Sequence, residues 1–163
     1  MPVVVGLLSD SHSRWERTRR ALEALQRAGA TRFIHCGDIE DERVLDQLAG
    51  LEVDLVWGNC DWHCGSLEPY ARNLGIRVHG LAGEIDVDGR RIAFTHGHEP
   101  APMRDAVARG ADYLIHGHTH ELRDERRAGT RIVNPGALHR APRFTVAALT
   151  PELDRLEILE IPA

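Results

Sequence analysis

Aspartate, asparagine and histidine recur along this chain in short polar groups: Asp10-Ser11-His12, Gly37-Asp38, Gly58-Asn59-Cys60-Asp61, His96-Gly97-His98 and His116-Gly117-His118-Thr119-His120. Neutral imidazoles together with carboxylate and amide oxygens form a mixed nitrogen and oxygen donor set. Such a set suits manganese, iron, zinc, cobalt or nickel and matches poorly the all-oxygen cage that calcium takes. A lone histidine near a strand end is ordinarily structural, bonded to a nearby carbonyl. Here six of the 10 histidines fall into these few motifs, and that concentration points to metal chemistry.

The elements that must position these groups follow from the apolar pattern. Residues 3 to 8 are a run of valine and leucine without alternation, as in a strand buried on both faces. Helical spacing of Ala21, Leu22, Leu25 and Ala28 follows, then a strand at Arg32 to His35, a helix around Asp41 to Leu48 and a strand at Val53 to Val56. Strand, helix, strand, helix, strand is the grammar of a parallel sheet covered by helices. Beyond Leu74 the pattern predicts a short strand at Ile76 to His79 and a hairpin about Asp88-Gly89, with strands at Ile85 to Val87 and Arg91 to Thr95. A short helix at Met103 to Arg109 and strands at Tyr113 to His116, Arg131 to Asn134, Phe144 to Leu149 and Leu156 to Ile161 complete the reading. The sheet is expected to be mixed, or two packed sheets, parallel at the start and antiparallel at the end. Each polar group then lies just past the end of an apolar strand. In α/β proteins such ends converge on one rim, where ligands bind.

At 163 residues the chain is read as a single domain spanning 1–163, with ordinary glycine and proline content. Its 20 basic side chains are all arginine and its net charge is -5, a balance that does not by itself attract nucleic acid or anionic lipid. No stretch has the length of a membrane span or the pattern of a signal peptide. Cys36, Cys60 and Cys64 are too few for a secreted disulfide framework, and a cytoplasmic location is expected. Two cysteines and a histidine in Cys60 to Cys64 suggest part of a zinc site, but no second cysteine pair completes it. Trp15 is read as a packing residue at a helix start, and Trp62, His63 and Tyr70 as a segment shaping access to the rim.

Taken in order, Asp10-x-His12, Gly37-Asp38, Gly58-Asn59-Cys60-Asp61, His96-Gly97-His98 and Gly117-His118-x-His120 resemble the calcineurin-like metallophosphoesterases, in particular their small bacterial and archaeal phosphodiesterases. The resemblance spans most of the chain. Singly each motif is weak; together they are specific. It implies an α/β sandwich of four layers, two β-sheets packed between helices. It also implies that Asp10, His12 and His120 bind one metal ion and Asn59, His96 and His118 a second, with Asp38 bridging. Manganese is the expected ion, with nickel, iron, zinc, cobalt and magnesium as alternatives. A bridging carboxylate lowers the repulsion of two cations roughly 3.5–4 Å apart, and a hydroxide they hold forms near neutral pH and attacks phosphorus in line. The metals also neutralise charge on the equatorial oxygens.

The expected activity is hydrolysis of small phosphodiesters. A non-catalytic metal-binding scaffold and a nuclease are the alternatives. Where many relatives carry histidine after the asparagine, this chain has Cys60, which does not carry a positive charge at neutral pH. His98 is therefore the expected proton donor, with Asp61 orienting it or a ligand, and Asn59 completes the expected catalytic set. Ser13 and Ala137 stand where relatives often carry glycine and serine, Asn134-Pro135-Gly136 resembles a loop beside the metals, and Arg143 is a candidate phosphate contact. The hairpins could lend edges to a homodimer or tetramer.

Overall fold

The computed structural model describes residues 1–163. Its first half runs β1 (Val4–Leu8), α1 (Trp15–Arg27), β2 (Ala30–His35), α2 (Glu42–Leu48), β3 (Glu52–Leu55), α3 (Cys64–Asn73) and β4 (Arg77–Val78). Then come β5 (Ala82–Val87), β6 (Arg90–Thr95), α4 (Pro100–Ala108), β7 (Tyr113–Ile115), β8 (Arg123–Arg127), β9 (Thr130–Asn134), β10 (Phe144–Thr150), a single 3-10 turn at Pro151–Leu153 and β11 (Arg155–Ile161). Two sheets result, of order β11-β10-β1-β2-β3-β4 and β5-β6-β7-β9-β8.

Alternation along β1 and β2 explains the layering. Val5, Leu7 and Ile34 turn to the second sheet and pack with Ile92, Phe94, Ile115 and Val133. Leu8 and Phe33 turn the other way, onto Leu22 and Leu25 of α1, Leu45 and Leu48 of α2 and Leu67 of α3. On the outer face of the second sheet, Leu114 and Ile132 pack against Ala106, Met103 and Val107 of α4. Helices, sheet, sheet and helix make the four layers that the resemblance implies. No helix is long and apolar enough to cross a membrane.

The fold differs from the sequence expectations at four points. The second sheet is not simply antiparallel: β6, β7 and β9 run parallel, with Ile92 beside Tyr113 and Ile115 beside Val133, because α4 carries the chain back between β6 and β7. The segment around Tyr70 is a helix, α3. It contains Gly65 and Pro69 and buries only Leu67 and Ala71, so its apolar signal is thin. β8 was not expected at all. Its sequence, Arg123-Asp124-Glu125-Arg126-Arg127, has no apolar alternation, because it is an edge strand whose charges face solvent. The strand expected at Ile76 to His79 shrinks to Arg77–Val78. Trp15 opens α1 and lies partly buried against the helix-side core, as a packing residue would.

Parallel pairing places the carboxyl ends of β1, β2 and β3 at one edge of the first sheet and those of β6, β7 and β9 at one edge of the second. The loops leaving those ends carry the polar motifs.

Candidate metal centre

The loops after β1 and β2 are stitched together by their backbones. The amides of Asp10, His12 and Ser13 donate to the carbonyls of Gly37, Asp38 and Ile39 at 2.9, 2.9 and 3.1 Å. Asp10, His12, Ser13, Asp38, Glu40, His118 and His120 all have positive φ, between 41° and 74°. Side chains other than glycine rarely adopt this region, and the surrounding hydrogen bonds hold them there. Close approach also dictates two glycines. A Cβ on Gly58 would lie 2.1 Å from Asp38 Oδ1, and one on Gly117 would lie 2.0 Å from Ser9 Oγ and 2.4 Å from Asp10 Oδ2.

His12 Nε2 lies 3.2 Å from His120 Nε2 and 3.6 Å from Asp10 Oδ1, and His120 Nε2 lies 3.1 Å from the same oxygen. Asp38 Oδ2 is 3.4 Å from His12 Nε2 and 3.2 Å from His96 Nε2. His118 Nδ1 and Asn59 Oδ1 are 3.1 Å apart. Donor atoms bound at right angles to one ion at about 2.1 Å lie about 3 Å from each other, so these separations match shared coordination. Asp10, Asp38 and His96 are buried and form the floor, while Asn59 and His118 stand on the open side.

The donor set fits a cation on a second ground. His96 Nδ1 donates to the Cys36 carbonyl at 2.7 Å, so in the neutral ring Nε2 is a bare lone pair. It points toward Asp38 and Asp10, and neither it nor the buried Asp10 Oδ1 has a hydrogen-bond partner. Two buried acceptors facing each other are costly unless something positive lies between them. His120 Nδ1 likewise meets the Arg140 carbonyl at 3.2 Å, which leaves its Nε2 free to ligate. Asp10, His12 and His120 form one candidate metal cluster, and Asp10, Asp38 and His96 form another.

Burial alone would raise the Asp10 carboxyl, but His12, His120, His96 and Ser9 outweigh it and hold the pKa below the usual carboxylate range. Burial and the neighbouring His96 lower His118, which favours its neutral, ligating form. Burial and the Asp38 and Glu40 carboxylates push the Cys60 thiol up to about 11. It stays a protonated thiol at neutral pH.

Asp61 is placed beneath the rim. Its two oxygens accept the amides of Asp38, Ile39, Glu40 and Gly58 at 2.9, 2.8, 2.9 and 2.7 Å. This consumes both oxygens in holding the Asp38 loop against the Asn59 loop. His98 stands beside the cluster, its ring 5.4 Å from that of His96 and 6.2 Å from that of His118, with its buried Nδ1 unpartnered, but it is not among the residues lining the cleft over the metal cluster. Asn134 donates to the Gly117 carbonyl and to Thr119 Oγ1 at 3.2 and 3.0 Å, fixing the His118 to His120 loop. Arg143 lies 3.4 Å from Glu160 and does not line the cleft over the metal cluster. Cys60 gathers with His12 and Glu40 rather than with His63 and Cys64.

That cleft measures about 530 Å³ and admits residues that the motifs did not reveal, among them Arg14, Glu40, His139 and Arg140. Glu40 follows Asp38 by two positions, and its Oε1 is 3.2 Å from His12 Nδ1. That spacing is the one signal that could have found it. His35, fully buried and held by burial at a pKa of about 3, bonds Ser11 Oγ at 2.8 Å and accepts the Gly37 amide at 3.0 Å. As the last residue of an apolar strand it carries no chemical signature.

Among curated proteins, a phosphodiesterase of Methanocaldococcus jannaschii is 27% identical over 138 residues, covering 81% of this chain and 82% of its own. A probable metallophosphoesterase of Methanothermobacter thermautotrophicus is 29% identical over 153 residues, covering 88% and 81%. Among solved structures, an archaeal phosphodiesterase superposes with a TM-score of 0.88 at 23% identity, over 97% of this chain and 99% of that one. The profile of the calcineurin-like phosphoesterase superfamily domain matches residues 3–153, nearly the whole length, and the chain belongs to that superfamily.

Proposed function

We propose that the protein is a phosphoesterase dependent on two divalent metal ions, manganese by preference, and that it hydrolyses small phosphodiesters. The observation that carries this reading is the convergence of Asp10 Oδ1, His12 Nε2, His120 Nε2, Asp38 Oδ2 and His96 Nε2, of which the buried Asp10 and His96 atoms lack any hydrogen-bond partner. Relatives described as phosphodiesterases agree with it. In this reading Asp10, His12 and His120 would hold one ion and Asn59, His96 and His118 the other, with Asp38 as a ligand between them. Metal ions held there would supply acidified water and charge for the phosphoryl oxygens.

The chain's own groups do the rest. Ser9 donates to Asp10 Oδ2 at 2.6 Å and the His118 amide to the same oxygen at 3.0 Å, so that oxygen is anchored while Oδ1 faces the imidazoles. Asp61 positions the Asp38 loop by the four amides it accepts. Arg14 and Arg140 line the cleft and supply positive charge for the phosphoryl group. His98, the unpartnered imidazole nearest His96 and His118, is assigned to hold the proton for the leaving oxygen. The test is to strip metals, restore manganese, nickel, zinc or magnesium singly, and screen phosphomonoesters and phosphodiesters. Hydrolysis of a diester with at least one metal is expected; none above background with any metal would remove the reading.

A further inference from the structure

Beside the cleft lies a second, smaller recess of about 220 Å³, walled by Ser13, Arg14, Trp15, Glu16, Arg17 and Arg20. It shares Ser13 and Arg14 with the cleft, so the two are neighbours. Three arginines crowd this corner of a chain whose net charge is -5. None of them has a carboxylate within salt-bridge reach, although Arg19 on the same helix pairs with Glu23 at 4.0 Å. Glu16 is the single acidic group in the wall.

Packing accounts for one of the three and leaves the others idle. Arg17 donates from Nη1 to the Leu138 carbonyl at 2.6 Å and lays its guanidinium 3.6 Å from the Phe144 ring centroid. Arg14 reaches only His139 Nδ1, at 3.3 Å. Arg20 makes no side-chain bond, and the Nε atoms of Arg17 and Arg20 are buried without a partner. Burial and the neighbouring Arg14 and Arg20 charges lower the Arg17 pKa. Like charges held together this way are unfavourable until an anion joins them. No side chain caps the start of α1, which adds free amides and the positive end of the helix dipole to the same recess.

We propose that this recess binds a second phosphate, so that the substrate is a phosphodiester carrying a further phosphate on one of its ester arms. The proposal rests on the phosphoesterase reading above and names the substrate class of that site. The reacting diester occupies the metal cleft, and Arg14, shared by both cavities, lies between the two phosphates. Arg20 takes the outer one through charge-assisted hydrogen bonds, beside the positive charge of Arg17. Substrates that lack the outer phosphate leave the arginine cluster unneutralised.

A matched pair of compounds tests this: thymidine 5′-(4-nitrophenyl phosphate) and the same compound with an added 3′-phosphate. In both, water adds to phosphorus and 4-nitrophenolate leaves, so only the outer phosphate differs. With metal-loaded wild-type protein, kcat/KM for the 3′-phosphorylated compound is expected to be about tenfold higher, the scale of one good charge-assisted contact. That ratio should fall toward one in Arg20→Ala and Arg20→Gln, and should shrink as salt is raised. Equal kcat/KM in the wild type, or a ratio that Arg20 substitution does not move, overturns the proposal while leaving diester hydrolysis intact. Calorimetric titration with thymidine 3′,5′-bisphosphate and thymidine 5′-phosphate decides the matter even if neither ester turns over. The bisphosphate is expected to bind about tenfold more tightly to wild-type protein, and equal affinities overturn the proposal. Matching thermal melts would show that the Arg20 variants fold.

Discussion

The Asp61 carboxylate accepts the Asp38 amide at 2.9 Å and, through its other contacts, the amides of Ile39, Glu40 and Gly58. One buried acid thereby fixes the loop after β2 to the loop after β3. An asparagine of the same shape would turn an amino group toward two of these donors. Asp61→Asn is expected to lower stability by about 2–3 kcal/mol and to weaken metal binding. Because the effect acts through Asp38, excess metal should restore much of the turnover; chemical denaturation and activity against metal concentration would measure both. Loss of turnover with full metal occupancy would make Asp61 a participant in the chemistry instead.

Asp38 faces both His12 and His96, at 3.4 and 3.2 Å. Asp38→Asn should lower metal content and turnover together. Metal analysis of the purified variant beside its steady-state rate is the check, and a fully active variant with unchanged metal occupancy would refute the assignment.

His98 has no partner for its buried Nδ1 and stands near His96 and His118. If it delivers the leaving-group proton, His98→Ala should slow a diester with a poor leaving group by about a hundredfold and an activated aryl diester by much less. An equal, small loss on both removes the proton-donor role.

Cys60 stands where the resemblance implies an imidazole, and its thiol is held far from ionisation at neutral pH. Cys60→His should raise turnover of diesters with poor leaving groups by about tenfold or more, with little change for activated ones. Rates for the two substrate types, wild type against variant, would show it.

Away from the site, Asp54 on β3 sits buried between Arg32, Arg77 and His79, at 3.3, 2.8 and 2.8 Å. Burial would raise its carboxyl, but the bonds to Arg77 and His79 and the charge of Arg32 outweigh it and lower the pKa. A group with a depressed folded pKa stabilises above its unfolded value, about 3.9, and loses that stabilisation as pH falls through the folded value. Asp54→Asn should therefore cost about 3 kcal/mol near neutral pH. The difference from wild type should shrink below about pH 4. Urea denaturation at pH 7 and pH 3 would measure it.

The sequence by itself picked out the candidate donors, because each follows a strand whose apolar run is local and easily read: Asp10 after β1, Asp38 after β2, Asn59 after β3, His96 after β6 and His118 after β7. It did not reveal α3, whose Gly65 and Pro69 dilute the helical pattern, or β8, a charged edge with nothing to bury. Tertiary structure alone brought His12 to His120, 108 positions away, turned Asp61 under the Asp38 loop, and set Arg14, His139 and Arg140 around the cleft. The physical reason is that periodicity records which face of an element is buried, whereas a site depends on where loops from separate sheets meet. That meeting is decided by register, crossovers and the close approach of Gly58 and Gly117.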